Sequence, residues 1–323
     1  MNIVFIGHVD HGKSTIVGRL MADTGNLPLG KLEEVKESCL RNARPFEYAF
    51  LIDALKDERN QNITIDSARV FFKSTQRYYI IIDAPGHIEF IKNMVTGASR
   101  AEAAMLIIDA SEGVQENSRR HGYLLKLLGI CQFSIVINKM DLVDYRQSVY
   151  DNLCSEYGAY LTEIGIQPKS FIPVSGQDGD NIVEISRHMP WYKGLTVLQT
   201  LDSFEKKRSL VDQPLRLPVQ DIYRFTEFGD KRRIVAGTIL SGCFSVGDEV
   251  IFYPSGKHGC VKSIEGFNIM PTRSAQAGQA TGFTLEHQLY AKRGEIITRA
   301  TDRPPQVART LRVSLLWLGK EPL

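Results

Sequence analysis

The sequence predicts an α/β fold: a mostly parallel, doubly wound sheet followed by an antiparallel β-barrel. Three observations carry this. Through the first part of the chain, apolar runs of strand length alternate with stretches of helical spacing. Two of the runs, Ala104 to Ile108 and Phe133 to Ile137, are apolar but for Ser134 and end in polar residues, the pattern of parallel strands covered on both faces. After Glu205-Lys206-Lys207-Arg208 the texture changes to short alternating strands between glycine turns.

Taken in order, Ile3 to Ile6 reads as a short buried strand, broken by Gly7 to Gly12 and followed by helical spacing over Lys13 to Met21. Arg69 to Lys73 and Tyr78 to Ile82 form a hairpin around Ser74-Thr75-Gln76. Helices are expected over Ile88 to Arg100, Asn117 to Leu128, Ser148 to Ile164 and Leu195 to Lys207, with a further strand at Phe171 to Val174. Such alternation places ligand sites at the carboxyl ends of the strands. Gln213 to Pro218 opens the β region, whose strands include Ile234 to Leu240, Glu249 to Tyr253 and Gly259 to Ile264, and Pro304-Pro305 closes it. The expected organisation is 1–210 for the α/β domain, 211–305 for the barrel, and 306–323 for the first strand of a truncated third domain.

Composition narrows the function classes. With 43% hydrophobic and 24% charged residues among 323, the chain reads as an ordinary globular protein, not a disordered tail or a rod. Lysine plus arginine total 39 against 37 acids, a net of +2, which gives no electrostatic argument for a general nucleic-acid binder. The apolar runs are far shorter than a membrane span, and no cationic leader precedes Ile3. Five scattered cysteines without a CxxC pair fit a reducing cytoplasm, the expected location.

Gly7-His8-Val9-Asp10-His11-Gly12-Lys13-Ser14 matches G-x-x-x-x-G-K-[ST], in which backbone N–H groups surround phosphates, lysine reaches the β and γ oxygens and the hydroxyl meets Mg²⁺. Thr15 completes the expected phosphate-binding set. A metal reading of His8 and His11 finds no cysteine or third histidine near in sequence. Asp83-Ala84-Pro85-Gly86-His87 follows a strand, so Asp83 is placed to hold Mg²⁺ through water and the Gly86 N–H to meet a γ-phosphate. Asn138-Lys139-Met140-Asp141 also follows a strand. A carboxylate there accepts from N1–H and the 2-amino group of guanine, donors that adenine lacks in that arrangement. Ser175-Gly176, after the strand Phe171 to Val174, would add backbone contacts to the base.

Together these motifs are the signature of a P-loop GTPase. Asp83 to His87, with Glu58-Arg59-Asn60-Gln61-Asn62-Ile63-Thr64-Ile65-Asp66, resembles the translation-factor class. The resemblance implies GTP and GDP as ligands with Mg²⁺, Thr64 as the switch residue on Mg²⁺ and γ-phosphate, and His87 as the residue that orients the attacking water. Asn62 stands where the class usually has glycine, and asparagine tolerates positive φ. Two families compete. Elongation factors Tu and 1-alpha share Gly7 to His11, Asp83 to His87 and Leu217 to Tyr223. The GTPase subunit of ATP sulfurylase is similar across Ser118 to His121, Gly179-Asp180-Asn181, Met189 to Tyr192, Pro254-Ser255-Gly256 and Leu316 to Leu323, but usually has Asp-Asp in place of Asp10-His11 and threonine in place of Ala84. The balance of motifs favours the sulfurylase subunit. That resemblance implies a regulatory GTPase whose hydrolysis drives sulfate adenylylation by a partner, the catalytic subunit of ATP sulfurylase, in a heteromer without a membrane or nucleic acid. The elongation-factor alternative implies delivery of aminoacyl-tRNA.

Overall fold

The computed structural model describes residues 1–43, 45–52, 68–83, 95, 98, 101–206, 210–224, 232–266, 272–306, 308–310 and 312. They form two compact units, Met1–Lys206 and one that begins at Lys207.

Among the described residues the first unit is built on a six-stranded sheet: β1 (Asn2–Gly7), β2 (Ala68–Lys73), β3 (Tyr78–Asp83), β4 (Ala103–Asp109), β5 (Phe133–Asn138) and β6 (Phe171–Pro173). Their order is β2-β3-β1-β4-β5-β6, and every pairing is parallel except that of β2 with β3. The neighbouring strands β4 and β5 are buried along their whole lengths, as their mostly apolar runs predict. Each fully buried aliphatic side chain there contributes about 1.5–3 kcal/mol relative to exposure. The β2–β3 hairpin turns on Ser74, whose hydroxyl accepts from the N–H groups of Gln76 and Arg77 at 3.1 and 3.2 Å. That hydroxyl donates in turn to Asp202 at 2.7 Å.

The helices cover the sheet with apolar stripes. α1 (Lys13–Asp23) buries Ile16, Val17, Leu20 and Met21. α2 (Lys31–Arg41) was not expected: its Gly30 N-cap supplies no side chain, and it buries only Val35, Cys39 and the stem of Lys31. Glu33 and Glu34 in its first turn and Arg41 in its last, which complement the helix dipole, were the available signal. α3 (Glu116–Leu127) and α4 (Gln147–Glu163) are tied where the buried Tyr157 hydroxyl donates to Ser118 O at 2.6 Å. α5 (Val197–Ser203) is shorter than the expected Leu195 to Lys207. A Thr196–Gln199 capping box starts it, and extended backbone at Phe204 ends it so that this ring is buried. Of the helix expected at Ile88 to Arg100 only Val95 and Ala98 are described, both helical.

Among the described residues the second unit has nine short strands: β7 (Leu217–Pro218), β8 (Asp221–Arg224), β9 (Arg233–Thr238), β10 (Cys243–Ser245), β11 (Glu249–Tyr253), β12 (Lys257–Glu265), β13 (Ser274–Gln276), β14 (Ala280–Leu285) and β15 (Ile296–Arg299). Seven pair antiparallel in the order β7-β15-β11-β12-β14-β9-β8, and β10 pairs with β13. The inward positions Leu217, Val235, Phe244, Val250, Phe252, Val261, Phe283 and Ile297 form its core. A register shift in β12 between Val261 and Ser263 bends the sheet. The curl brings β9 onto β7: a Cβ at Gly237 would lie 2.2 Å from Pro218 O, so only glycine fits. The strand expected at Leu311 to Leu318 lies outside the described residues, Arg312 apart.

Candidate nucleotide-binding site

The loop between β1 and α1 presents the helix N-terminus to the carboxyl edge of the sheet. No acidic residue stands in the first turn of α1, so its positive end is open to an anion. Lys13 folds back over the loop and donates to Gly7 O at 3.0 Å and His8 O at 2.6 Å. Its ammonium is thus held where phosphate oxygens would enter. Gly12 is left-handed at φ 83, and a Cβ there would stand 2.3 Å from Asn138 Nδ2. The glycine therefore lets the phosphate loop touch the loop after β5.

That contact is a hydrogen-bonded tie. Asn138 Nδ2 donates to His11 O at 2.9 Å, and its Oδ1 accepts the Gly176 N–H at 2.9 Å. One carboxamide thereby joins the phosphate loop, the β5 loop and the β6 loop. Lys139 has positive φ (62°) and reaches Asp109 Oδ2 at 2.6 Å. Burial alone would raise the Asp109 carboxyl, but hydrogen bonds from Lys139 and Ser111 outweigh it and hold it below the usual carboxylate range. Asp141 sits in the short 3₁₀ turn Met140–Val143.

A cavity of about 370 Å³ lies among these loops. Asp10, Gly12, Lys13, Ser14 and Thr15 line it from the phosphate loop and α1; Asn138, Lys139, Asp141 and Gly176 line it from the β5 and β6 loops. Those nine were expected at the site. Glu47, Ala49 and Gln177 also line it and were not expected.

Other expected residues are placed differently. His8 and His11 turn their rings away: His8 Nδ1 meets Asn117 Nδ2 at 2.9 Å, and the buried His11 ring meets Ile107 O at 3.2 Å and Glu112 at 3.3 Å. Val9 is half-buried and does not line the cavity. Ser175 is buried, with its hydroxyl donating to Asp178 at 3.2 Å. Thr64, Gly86 and His87 lie outside the described residues, as does the side chain of Asp83. A third histidine, His121, is buried close enough to His8, His11 and Lys13 for their charges to act on it. Even so, among the described residues no group of three or more His, Cys, Asp or Glu is arranged to hold a metal ion. None of the described helices is long and apolar enough to cross a membrane.

Comparison with known proteins agrees with this geometry. Residues 1–207 match the elongation factor Tu GTP binding domain. Elongation factor 1-alpha of Thermoplasma acidophilum is 40% identical over 99% of this chain and 76% of its own length. That of Pyrococcus horikoshii is 42% identical over 96% of this chain and 73% of its own. Among solved structures, the GTPase-like domain of S. cerevisiae Ski7, bound to GDP and inorganic phosphate, aligns with a TM-score of 0.62 at 18% identity, over 93% of this chain and 75% of that one. A bacterial selenocysteine-specific elongation factor aligns with a TM-score of 0.52 at 23% identity, over 93% of this chain and 45% of that one. These two alignments speak for the fold alone.

The relatives correct the functional reading drawn from the sequence. Curated relatives at 40% and 42% identity are elongation factors, which overturns the assignment as a sulfurylase subunit and, with it, the catalytic sulfurylase subunit as partner. The stretches that suggested it have structural duties. Ser118 and Asn181 are buried, Met189 is fully buried, and Trp191 donates to Tyr145 O at 3.1 Å while packing on Tyr150. Packing residues of this kind record the scaffold and say little about a partner.

Proposed function

The chain belongs to the elongation factor Tu GTP-binding family, and from that premise we propose that it is a cytoplasmic translation GTPase that carries aminoacyl-tRNA while GTP is bound. The observation that supports this most is the single cavity shared by Lys13 of the phosphate loop and Asp141 of the base motif, within a chain 40% identical to an elongation factor 1-alpha over 99% of its length.

In this reading Lys13 and the N–H groups of residues 8–15 hold the phosphates, while Asp141 accepts both guanine donors and Gly176 flanks the base. Ser14, which lines the cavity beside Lys13, is a hard oxygen donor of the kind Mg²⁺ takes, and Thr64 and Asp83 would complete its surroundings. Bound there, Mg²⁺ supplies charge neutralisation at the β and γ oxygens. His87 would hold the attacking water, a role suited to imidazole near neutral pH.

The test is protection of an aminoacyl-tRNA ester from spontaneous hydrolysis. The GTP-loaded chain should slow ester loss and the GDP-loaded chain should not. Equal ester lifetimes with the GTP form and with no protein would refute the proposal.

A further inference from the structure

Glu47 lines the nucleotide cavity, and none of the phosphate or base motifs accounts for it. Its segment follows α2 and is fastened from two sides. Phe46, Tyr48 and Phe50 pack onto a small core of Val35, Cys39 and Leu51, whereas Glu47 and Ala49 line the cavity. Tyr48 O lies directly against α1, since a Cβ at Gly18 would come within 2.1 Å of it. Glu47 is exposed, and no hydrogen bond or ion pair engages its side chain among the described residues.

Arg19 fixes which end of the cavity this segment borders. Its guanidinium stacks 4.8 Å from the Tyr48 ring centroid and donates to Gln177 O at 2.8 Å. Both oxygens of Asp23 hold its Nε, at 2.9 and 2.7 Å. Gln177 adjoins Gly176 on the loop expected to flank the base. Gly18 lies five residues beyond Lys13, about 7 Å along the helix from the phosphate end at 1.5 Å per residue. Glu47 is thereby joined to the base side of the site.

The chemistry of a guanine nucleotide then leaves few partners for a carboxylate. The phosphates are anionic and repel it. The base donors, N1–H and the 2-amino group, go to Asp141 in the proposed function. The remaining donors are the 2′- and 3′-hydroxyls of the ribose, which match the two oxygens of one carboxylate. Acidic side chains recognise ribose hydroxyls in this way in dinucleotide-binding folds.

We infer that Glu47 is the ribose-recognising residue of the cavity, accepting hydrogen bonds from the sugar hydroxyls and selecting guanine ribonucleotides over their deoxy forms. The inference rests on the guanine-nucleotide reading of the same cavity.

The test is equilibrium binding of GDP and of 2′,3′-dideoxy-GDP to the whole chain and to Glu47→Ala and Glu47→Gln. The unmutated chain should favour GDP by roughly tenfold, the lower end for hydrogen bonds to a charged group because Glu47 is solvent-exposed. Glu47→Ala should bring the ratio close to one through loss of GDP affinity. Glu47→Gln, which keeps one acceptor, should fall between. An Ala variant with the same ratio as the unmutated chain, or an unmutated chain with a ratio of one, overturns the inference and leaves the guanine reading standing. Absence of GDP binding by the unmutated chain overturns both, so the GDP titration separates the two failures.

Discussion

Lys139 places its ammonium 2.6 Å from Oδ2 of Asp109, a carboxylate with no solvent exposure at the end of β4. The other oxygen of Asp109 accepts from Ser111 N at 2.7 Å and Ser111 Oγ at 2.6 Å. The ion pair pins the side chain that follows Asn138 in the base motif. Its energetic sign follows from the carboxyl, which is held below its ordinary value in the folded chain. A depressed carboxyl contributes stability that is present above the unfolded pKa, about 3.9, and lost as pH falls through the folded value.

Lys139→Met should therefore destabilise the chain at pH 7 by about 2–3 kcal/mol. That is below the usual cost of breaking a buried pair, because Lys139 is 30% exposed. The variant should also lose part of the acid limb below about pH 4. Urea midpoints between pH 3 and pH 7 check both, and a variant whose midpoint tracks the unmutated chain at every pH contradicts the assignment.

His121 titrates in the opposite sense to a partnered histidine. Burial, with the charges of Lys13, His8 and His11 adding to it, pushes its pKa down to about 4, and among the described residues its Nδ1 has no hydrogen-bond partner. Between the unfolded value of about 6.5 and that folded value, only the unfolded chain takes the proton, so stability rises with pH across this window. The span is worth about 3 kcal/mol. His121→Leu should flatten the stability profile between pH 4 and pH 6.5. An unchanged slope there would mean the ring is hydrated in solution.

Base selection should reside in Asp141. Asp141→Asn exchanges an acceptor pair for an acceptor and a donor, so GTP affinity should fall by roughly 10²–10³-fold, two charge-assisted hydrogen bonds being at stake. Xanthosine nucleotides, whose O2 replaces the amino group, should gain. Competition binding with GTP, XTP and ATP measures this. Comparable ATP and GTP affinity in the unmutated chain would refute the base assignment.

The parts of this site that were legible in the sequence are those whose signal is local. Gly7 to Ser14 and Asn138 to Asp141 each follow an apolar strand within a few residues, so chemistry and placement are read together. Arg19 carries no such mark: Gln177, its partner, is 158 residues away. Asp109 reads as a polar strand end until Lys139 is folded onto it, and Glu47 as a surface charge until α2 and Tyr48 set its segment against α1. The choice of family failed for a related reason. Met189 to Tyr192 and Ser118 to His121 carry the resemblance to the sulfurylase subunit, yet Met189, Tyr192, Ser118 and His121 are all buried.

Asn138 offers the sharpest separation of geometry from recognition. Its two hydrogen bonds, to His11 O and from the Gly176 N–H, are both to backbone, and both hold loops that line the cavity. Asn138→Asp keeps the acceptor for Gly176 but sets a carboxylate oxygen against the His11 carbonyl, replacing an attraction with a repulsion at a residue only 2% exposed. Loss of the loop tie should weaken every guanine-like nucleotide by a similar factor, about tenfold or more for one buried hydrogen bond turned repulsive. Asp141→Asn, in contrast, should reorder GTP and XTP. The measurement is the XTP-to-GTP affinity ratio in both variants. A ratio that stays put in Asn138→Asp and moves in Asp141→Asn assigns the first residue to positioning and the second to the base. A ratio that moves equally in both would mean that Asn138 itself reads the base, and that its two backbone hydrogen bonds yield when the nucleotide enters.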